Sequence, residues 1–393
     1  FSGSLRPPLD RLAALLRGRD LIPHCPLRVS VDLPSGLDAD SGLIPGHAAE
    51  ADLTITFTAP KAANVLPPAS RCNGRLITAH IGSPQELIDA QPSGLFLSEK
   101  KDARKWLQAT AFSKDSYKNR RGHAVIIAGS ANYSGAAVLA ANAAMRSGVG
   151  MVTLITPQST VGAAASRLLP EVMLRGVAET TDGMIAEAAF DEAVEMSAGA
   201  DAVAVGCGIG RSEETQRFVK RAVATMKCPM IIDADALTLL SPFAVELGRE
   251  IEGAARILTP HEGEFLRLIG AADKDAIKDR ESAVRSFAVK HGVILVLKGE
   301  RVLIGLPDGR VIVNPTGNSG LGKAGNGDTL TGILAGFTAQ AAAMRIGSSE
   351  TVTAAVYVAG KAGDIAESKY GKHVMTASDV RECLAEAFAE IIK

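Results

Sequence analysis

From about residue 98 onward the chain alternates short apolar runs with helix-forming stretches, and this alternation constrains its fold more than any other feature. The apolar runs are HAVIIAG, GMVTLIT, ADAVAVG, CPMIIDAD, ARILTP and VILVLKG. Helical or loop sequence separates them, including the Ala-rich GAAVLAANAAMRSG. Such repetition predicts a mostly parallel sheet with helices on both faces, because each crossover carries its helix back over the sheet. A hairpin, RVLIGLPDGRVIVN, is announced by a PDG turn between alternating hydrophobics. Composition agrees: 39 glycines, 47% hydrophobic residues and only 4% aromatics suit Val/Ile strands packed under Ala-rich helices.

The 393 residues leave room for two or three domains of about 100–200 residues each. The stretch SPQELIDAQPSGLFLSEKKD, punctuated by Pro and Ser and then charged, predicts a boundary between segments 1–95 and 98–393. The first segment holds a strand pattern at Leu27–Leu33, the turn cluster PSGLDADSG, and two more strands, ADLTITFTA and GRLITAHIG. A formal net charge of -1 offers no basic surface for nucleic acid or an anionic membrane. No run of about 18 apolar residues occurs, so no transmembrane helix is expected. Cys25, Cys72, Cys207, Cys228 and Cys383 are scattered, with neither a CxxC pair nor metal-ligand spacing, and read as reduced thiols of a cytoplasmic protein. The chain starts at Phe1, and FSGSLRPPLD lacks a signal-peptide pattern, so the natural N-terminus is expected upstream.

The chemistry concentrates in Asn314–Gly336, NPTGNSGLGKAGNGDTLTGILAG. A Gly-rich loop feeding a helix gathers unpaired N–H groups at the positive end of the helix dipole, which makes an anion cradle. Asp328 at its mouth reads either as a general base or as a helix cap; spacing alone leaves both open. His261 in LTPHEGEF reads as a substrate contact at a strand end or as a solvated loop histidine. Gly208 and Gly210 in VGCGIG either admit a ligand closely or make a plain turn. Lys298 in LKGERV either neutralises phosphate or is a solvated charge. Asp233 and Asp235 in IIDADAL are a magnesium-proximal pair or simple caps. Asp32, between a strand and a turn, is a catalytic carboxylate or an Asx-turn residue.

Gly325-Asn326-Gly327-Asp328 resembles the G-x-G-D signature of the ribokinase-like superfamily. GHAVIIAGSANYSGAAVLAANAAMRSGVGMVTLIT, VGCGIG, IIDADAL, LTPHEGEF and VLKG resemble, in order over about 270 residues, the NAD(P)H-hydrate dehydratase family. The resemblance implies a ribokinase-like α/β fold and ADP- or ATP-dependent dehydration of hydrated NADH or NADPH (NADHX, NADPHX) with Mg²⁺. It implies an anion hole made by the loop glycines, with Asp328 as catalytic base. It puts substrate at Ala136, Gly208, Gly210, His261 and Asp328. The adenine nucleotide falls at Lys298, Gly299, Glu300, Arg301, Val302, Asn318, Gly325, Asn326 and Gly327. A homo-oligomer is implied as well. Two stretches depart from the family pattern. Lys323-Ala324 precedes the loop where Gly-Gly-Ser/Thr-Gly-Asp is usual, adding a charge near the phosphates. SYKNRRG at Ser116–Gly122 stands where a His-Lys-Gly run is common.

VSVDLPSGLDADSG, ADLTITFTAPK and the strand ending in HIG resemble the second half of the NAD(P)H-hydrate epimerase domain. By that resemblance Asp32 touches substrate and catalyses epimerisation, and Ser35 helps ligate K⁺. The match covers about the last 85 residues of that domain, without its Asn-Asn-Gly-Gly-Asp loop. The segment is therefore expected to be a partial Rossmann-like α/β unit with an exposed sheet edge, part of a bifunctional full-length protein. Two alternatives stand beside this reading. A ribokinase-like kinase phosphorylating a small alcohol would have no use for an epimerase segment. A silent nucleotide-binding module would have no use for Asp328.

Overall fold

The computed structural model describes residues 3–17, 27–91, 93–114, 116–245 and 254–393; Cys25 lies outside them. The chain divides into two compact units, Phe1–Leu97 and Ser98–Lys393.

The smaller unit is built on three parallel strands in the order β1 (Val29–Val31), β2 (Leu53–Phe57), β3 (Arg75–Ala79), and ends with β4 (Leu95–Leu97). On the central strand Thr54 and Thr56 are buried, and Thr54 Oγ1 donates to the Asn73 carbonyl at 2.8 Å. Strand β1 is the exposed edge that the sequence predicts: Val29 is 49% and Val31 67% exposed.

The larger unit carries β5 (His123–Ile127), β6 (Met151–Pro157), β7 (Met173–Val177), β8 (Ala202–Val205), β9 (Met230–Ile232), β10 (Arg256–Leu258), β11 (Ile294–Leu297), β12 (Val302–Gly305) and β13 (Val311–Asn314). Their order across the sheet is β13-β12-β11-β10-β9-β8-β5-β6-β7. Neighbours from β11 to β7 run parallel, while β12 and β13 form the antiparallel hairpin around the PDG turn. Strand β7 was not legible as an apolar run, because MLRGV is interrupted by Arg175 and Gly176 and lies on an edge.

The chain builds outward from β5 through β6 to β7, then returns to the other side of β5 and proceeds from β8 to β11. The topological switch therefore lies between β5 and β8. In open α/β sheets, ligands enter beyond the carboxyl ends of the strands at such a point.

Helices of the larger unit include α1 (Ser134–Arg146), α2 (Glu213–Thr225), α3 (Glu262–Leu268), α4 (Arg280–His291), α5 (Asn326–Met344) and α6 (Ser348–Tyr370). Helix α5 is buried along most of its length and packs on α1 at close range. A Cβ at Gly332 would strike the Ala140 carbonyl, and one at Gly336 would strike the Ser147 hydroxyl. These two glycines fix the position of the helix whose first turn carries Asp328. Trp106 stacks on Phe337 with ring centroids 4.1 Å apart and donates its indole N–H to Thr351 Oγ1 at 3.1 Å.

Arg256 on β10 is buried without a carboxylate in its hydrogen-bond set. Its guanidinium donates to the carbonyls of Val223 (3.1 Å), Met226 (2.5 Å) and Cys228 (2.9 Å), closing the end of α2. Burial pulls its pKa down to about 10. Among the described residues no helix is long and apolar enough to cross a membrane.

Candidate active site

The carboxyl ends of β5, β8, β9, β10 and β11 bring most of the larger unit's candidate residues together. The Gly129 N–H, just past β5, donates to the Cys207 carbonyl, just past β8, at 2.8 Å. That bond spans the switch point. Gly206, with φ of 130°, lies so close to the Asp233 carbonyl that a Cβ would collide with it. Gly208 packs against Tyr133 and Ala136, which brings together two positions that the resemblance assigns to substrate, Gly208 and Ala136.

Asp233 follows β9 and is buried. Its Oδ1 accepts from Lys298 Nζ at 2.9 Å and its Oδ2 from Thr331 Oγ1 at 2.7 Å. Lys298, at the end of β11, is therefore not a solvated charge. Its amide donates to the Pro260 carbonyl at 2.8 Å, and its ammonium lies 4.0 Å from the buried Glu264 carboxylate. Burial works to lower the Lys298 pKa, but the Asp233 and Glu264 charges outweigh it and the net shift is upward.

Asp235 is committed elsewhere, accepting from the Gly210 amide at 3.1 Å and from Arg211 Nε at 2.6 Å. Between the two aspartates Ala234 holds φ of 51°, a region that non-glycine residues rarely occupy. Strain of this kind persists where surrounding structure enforces it, commonly at ligand sites. Among the described residues no group of three or more His, Cys, Asp or Glu side chains could hold a metal ion.

Helix α5 starts at Asn326, after Gly325 in the left-handed conformation with φ of 90°. Gly327 faces Lys298 Nζ and the Asp233 carboxylate. Asp328 in this first turn is pushed up to about 6, foremost by burial; the Asp233 and Asp235 charges add to this, while a Cys207 hydrogen bond and Lys298 work against it. The Cys207 thiol is raised well above its ordinary value by burial and by Asp328 and Asp233, so it stays protonated and donates to Asp328. A carboxylate poised near neutrality, beside a lysine and a helix N-terminus, can accept a proton while an anion is held next to it.

His261 is the N-cap of α3. Its Nδ1 accepts from the amides of Gly263 (3.0 Å) and Glu264 (3.2 Å), while Glu264 Oε2 accepts the His261 amide at 2.8 Å. With Nδ1 accepting, the ring proton sits on Nε2, 3.6 Å from Glu264 Oε1. The ring is held by a capping box, and its side chain is 57% exposed.

The remaining nucleotide candidates lie on two segments, 299–302 and 318–326. Gly299, Glu300 and Arg301 link β11 to β12, which starts at Val302; Arg301 donates to the Pro315 carbonyl at 2.5 Å. Asn318 is occupied with the fold, capping Gly320 and donating to the Gly363 carbonyl at 2.9 Å. Asn326 is buried, and its Oδ1 has no hydrogen-bond partner. The Lys323 ammonium donates to the carbonyls of His373 (2.7 Å) and Met375 (3.0 Å), which anchors this added charge beside the loop. Within SYKNRRG, Arg121 is buried and donates to Gln340 on α5 at 2.5 Å, so that departure supports packing.

In the smaller unit Asp32 has φ of 66° and accepts from Thr56 Oγ1 (2.9 Å), the Phe57 amide (3.2 Å) and Lys61 Nζ. Burial works to raise its pKa, but the Lys61 hydrogen bond and the Phe57 and Thr56 contacts bring it below the usual carboxylate range. Ser35 is exposed, and its carbonyl accepts from the Ala49 amide at 2.9 Å.

Sequence reasoning missed Cys207, Thr331, Glu264 and Lys61. Two carried a readable signal. Thr331 stands three residues after Asp328, on the same helix face, and Glu264 stands three after His261, the capping-box spacing.

The NAD(P)H-hydrate dehydratase family model matches residues 124–386, and the model of the YjeF-related protein N-terminus matches residues 1–63. The bifunctional NAD(P)H-hydrate repair enzyme of Moorella thermoacetica is 37% identical over 360 residues, covering 91% of this chain and 66% of the relative. That of Salinibacter ruber is 33% identical over 394 residues, covering 99% and 70%. The chain thus spans about two-thirds of the length of these relatives. Among solved structures, the ADP/ATP-dependent NAD(P)H-hydrate dehydratase of Bacillus subtilis, co-crystallised with ATP and Mg²⁺, has a TM-score of 0.65 and 29% identity, over 75% of this chain and 98% of that one. A ribokinase-like superfamily protein from Enterococcus faecalis has a TM-score of 0.62 and 28% identity, over 77% and 98%.

Proposed function

The chain belongs to the NAD(P)H-hydrate dehydratase family, and from that membership we propose that its larger unit dehydrates NADHX or NADPHX to the reduced nucleotide at the expense of ADP or ATP. The observation that carries this reading is Asp328, a half-buried carboxylate with its pKa near 6 at the N-terminus of α5, beside Lys298.

The terminal phosphate of the nucleotide rests on the Gly325–Gly327 amides, with Lys298 compensating its charge. Lys298, Gly299, Glu300, Arg301, Val302 and Asn318 line the nucleotide side; Ala136, Gly208, Gly210 and His261 line the substrate side. Asp328 takes the proton of the ring hydroxyl as that oxygen attacks phosphorus, and the shortened nucleotide leaves. The ring carbon–oxygen bond then breaks with phosphate as leaving group, the ring nitrogen supplies the electron pair, and loss of a ring proton restores the dihydropyridine. A hydroxyl is a poor leaving group and a phosphate a good one, which is how a kinase fold serves a lyase.

Magnesium belongs to the proposal as the ion that neutralises phosphate charge. Asp233 and Asp235 are the carboxylates in electrostatic reach of Asp328, and both already hold protein partners. This donor set suits an ion that arrives on phosphates and keeps much of its water.

For the whole protein we propose epimerisation of the hydrate as a second activity, with Asp32 as the proton-transferring group and Lys61 as its partner. Ser35, an exposed residue after Asp32, is placed at K⁺ by the same proposal. A cytoplasmic homo-oligomer acting on small molecules, without nucleic-acid or membrane partners, is part of the same proposal.

The test is spectrophotometric. Chemically hydrated NADH is incubated with the protein, Mg²⁺ and either ADP or ATP, and recovery of reduced-nicotinamide absorbance is followed. Nucleotide-dependent recovery that disappears in Asp328→Ala supports the reading and identifies the donor. No recovery from folded protein with either nucleotide overturns it and directs the search to alcohol kinase activity.

A further inference from the structure

We propose that Arg280 is a positioning residue that ties the Lys298–Val302 segment to the His261–Glu264 turn, coupling the nucleotide and substrate sites through one guanidinium. The proposal rests on the reading above for which ligand each segment contacts.

Arg280 is the first residue of α4, after the Asp279 cap, and its side chain is only 14% exposed. A cation is disfavoured at a helix N-terminus, and burying one costs hydration. Its retention calls for partners, and they come from both segments. On the substrate side, Nε lies 3.4 Å from Glu262 Oε1, the residue next to His261. This is an ion pair whose angle falls short of a hydrogen bond, which leaves the buried Nε–H without an acceptor. On the nucleotide side, Nη2 donates to the Arg301 carbonyl at 3.4 Å, and Glu300 lies within electrostatic reach.

Gly299 completes the arrangement. A Cβ there would stand 3.2 Å from Arg280 Cζ and would collide with Nη2. The guanidinium thus fills the space that a Gly299 side chain would need, and any side chain at 299 would push it off. A displacement of Glu262 transmits through Arg280 to Gly299 and Arg301, and the reverse holds equally. Coupling between two ligand sites is reciprocal by thermodynamic necessity.

The experiment is calorimetric titration of the whole chain with Mg-ATP, alone and with saturating NADPH as the probe of the substrate side. The proteins are wild type, Arg280→Ala, Arg280→Lys and Glu262→Gln. Expected are an NADPH-dependent change in the wild-type ATP Kd, a weakening of ATP by about tenfold in Arg280→Ala, and loss of the NADPH effect in Arg280→Ala and Glu262→Gln. Arg280→Lys keeps the charge but not the two separate nitrogens that reach Glu262 and the Arg301 carbonyl, and is expected to lose the NADPH effect while folding normally. A lowered Tm with an unchanged ATP Kd in the Arg280 variants, or a wild type whose ATP Kd is indifferent to NADPH, overturns the proposal. Should Arg280→Ala fail to fold, Arg280→Lys and Glu262→Gln decide. Because the readout is binding, a wild type that couples the two ligands without recovering NADH defeats the dehydratase reading and leaves this one standing.

Discussion

Lys298 Nζ and Asp233 Oδ1 meet at 2.9 Å, joining the ends of β11 and β9 across β10, and Thr331 of α5 donates to the same carboxylate at 2.7 Å. One ion pair thus holds the Lys298 segment, the end of β9 and the first turns of α5 in register.

Removing one member of this pair is costly, because the other is left buried with its charge uncompensated. Lys298→Met is expected to destabilise the larger unit by about 3–5 kcal/mol, read from the urea midpoint. Asp233→Asn combined with Lys298→Met should cost less than the sum of the single changes. Strict additivity would mean that the pair contributes nothing as a pair.

Asp328 makes two predictions of opposite sign. Asp328→Asn should lower kcat by about 10²–10⁴-fold, since it removes the base. Stability should move the other way. A carboxyl group raised from 3.8 to about 6 contributes stability below its unfolded pKa and loses it as pH rises through the folded value. At pH 7 the ionised, half-buried Asp328 is a burden, so the Asn variant should gain on the order of 1–3 kcal/mol there. Near pH 4 the gain should vanish. Wild-type kcat/KM, which reports the free enzyme, should fall on the acid side with an apparent pKa near 6. Thermal melts across pH check the first point and the rate profile the second; a variant less stable than wild type at pH 7 would contradict the burial of this charge.

The parallel sheet was readable because buried parallel strands are continuous apolar runs, such as Val125–Ile127 and Ile294–Leu297. The Gly-rich loop ahead of a helix was readable because glycines crowd just before an amphipathic stretch, whereas the spacing left Asp328 open between base and cap and only the G-x-G-D resemblance chose between them. What the sequence concealed depends on pairing between distant positions. Lys298 and Asp233 stand 65 residues apart, and neither position alone indicates burial. Cys207 lay unnoticed inside VGCGIG, since only the fold places its thiol against Asp328. The anchoring of Lys323 was concealed for the same reason: its carbonyl partners come from His373 and Met375.

Arg256 offers a test of the scaffold alone. Arg256→Met keeps much of the volume but strips hydrogen bonds from the carbonyls of Val223, Met226 and Cys228. Leaving such groups unsatisfied should cost about 2–4 kcal/mol in denaturant unfolding, with Mg-ATP affinity in the surviving folded fraction unchanged. A loss of nucleotide affinity at full folding would mean that β10 transmits strain to the Lys298 segment.

In the smaller unit Lys61 fixes the ionisation of Asp32. Burial works to raise the Asp32 pKa, and the Lys61 hydrogen bond is the largest influence bringing it below its ordinary value of 3.8. A depressed carboxylate contributes stability above the unfolded pKa and loses it as pH falls through the folded value, so this contribution is complete at neutral pH and fades below about pH 4. Lys61→Met should therefore move the Asp32 titration upward and remove that part of the acid sensitivity of the unit. The carboxyl carbon of Asp32, followed by NMR in the intact chain from pH 2 to 7, gives the answer directly. An unchanged midpoint in Lys61→Met would mean that the Phe57 amide and Thr56 hydroxyl hold the carboxylate without help, and Lys61 would lose its place beside Asp32 in the proposed epimerase chemistry.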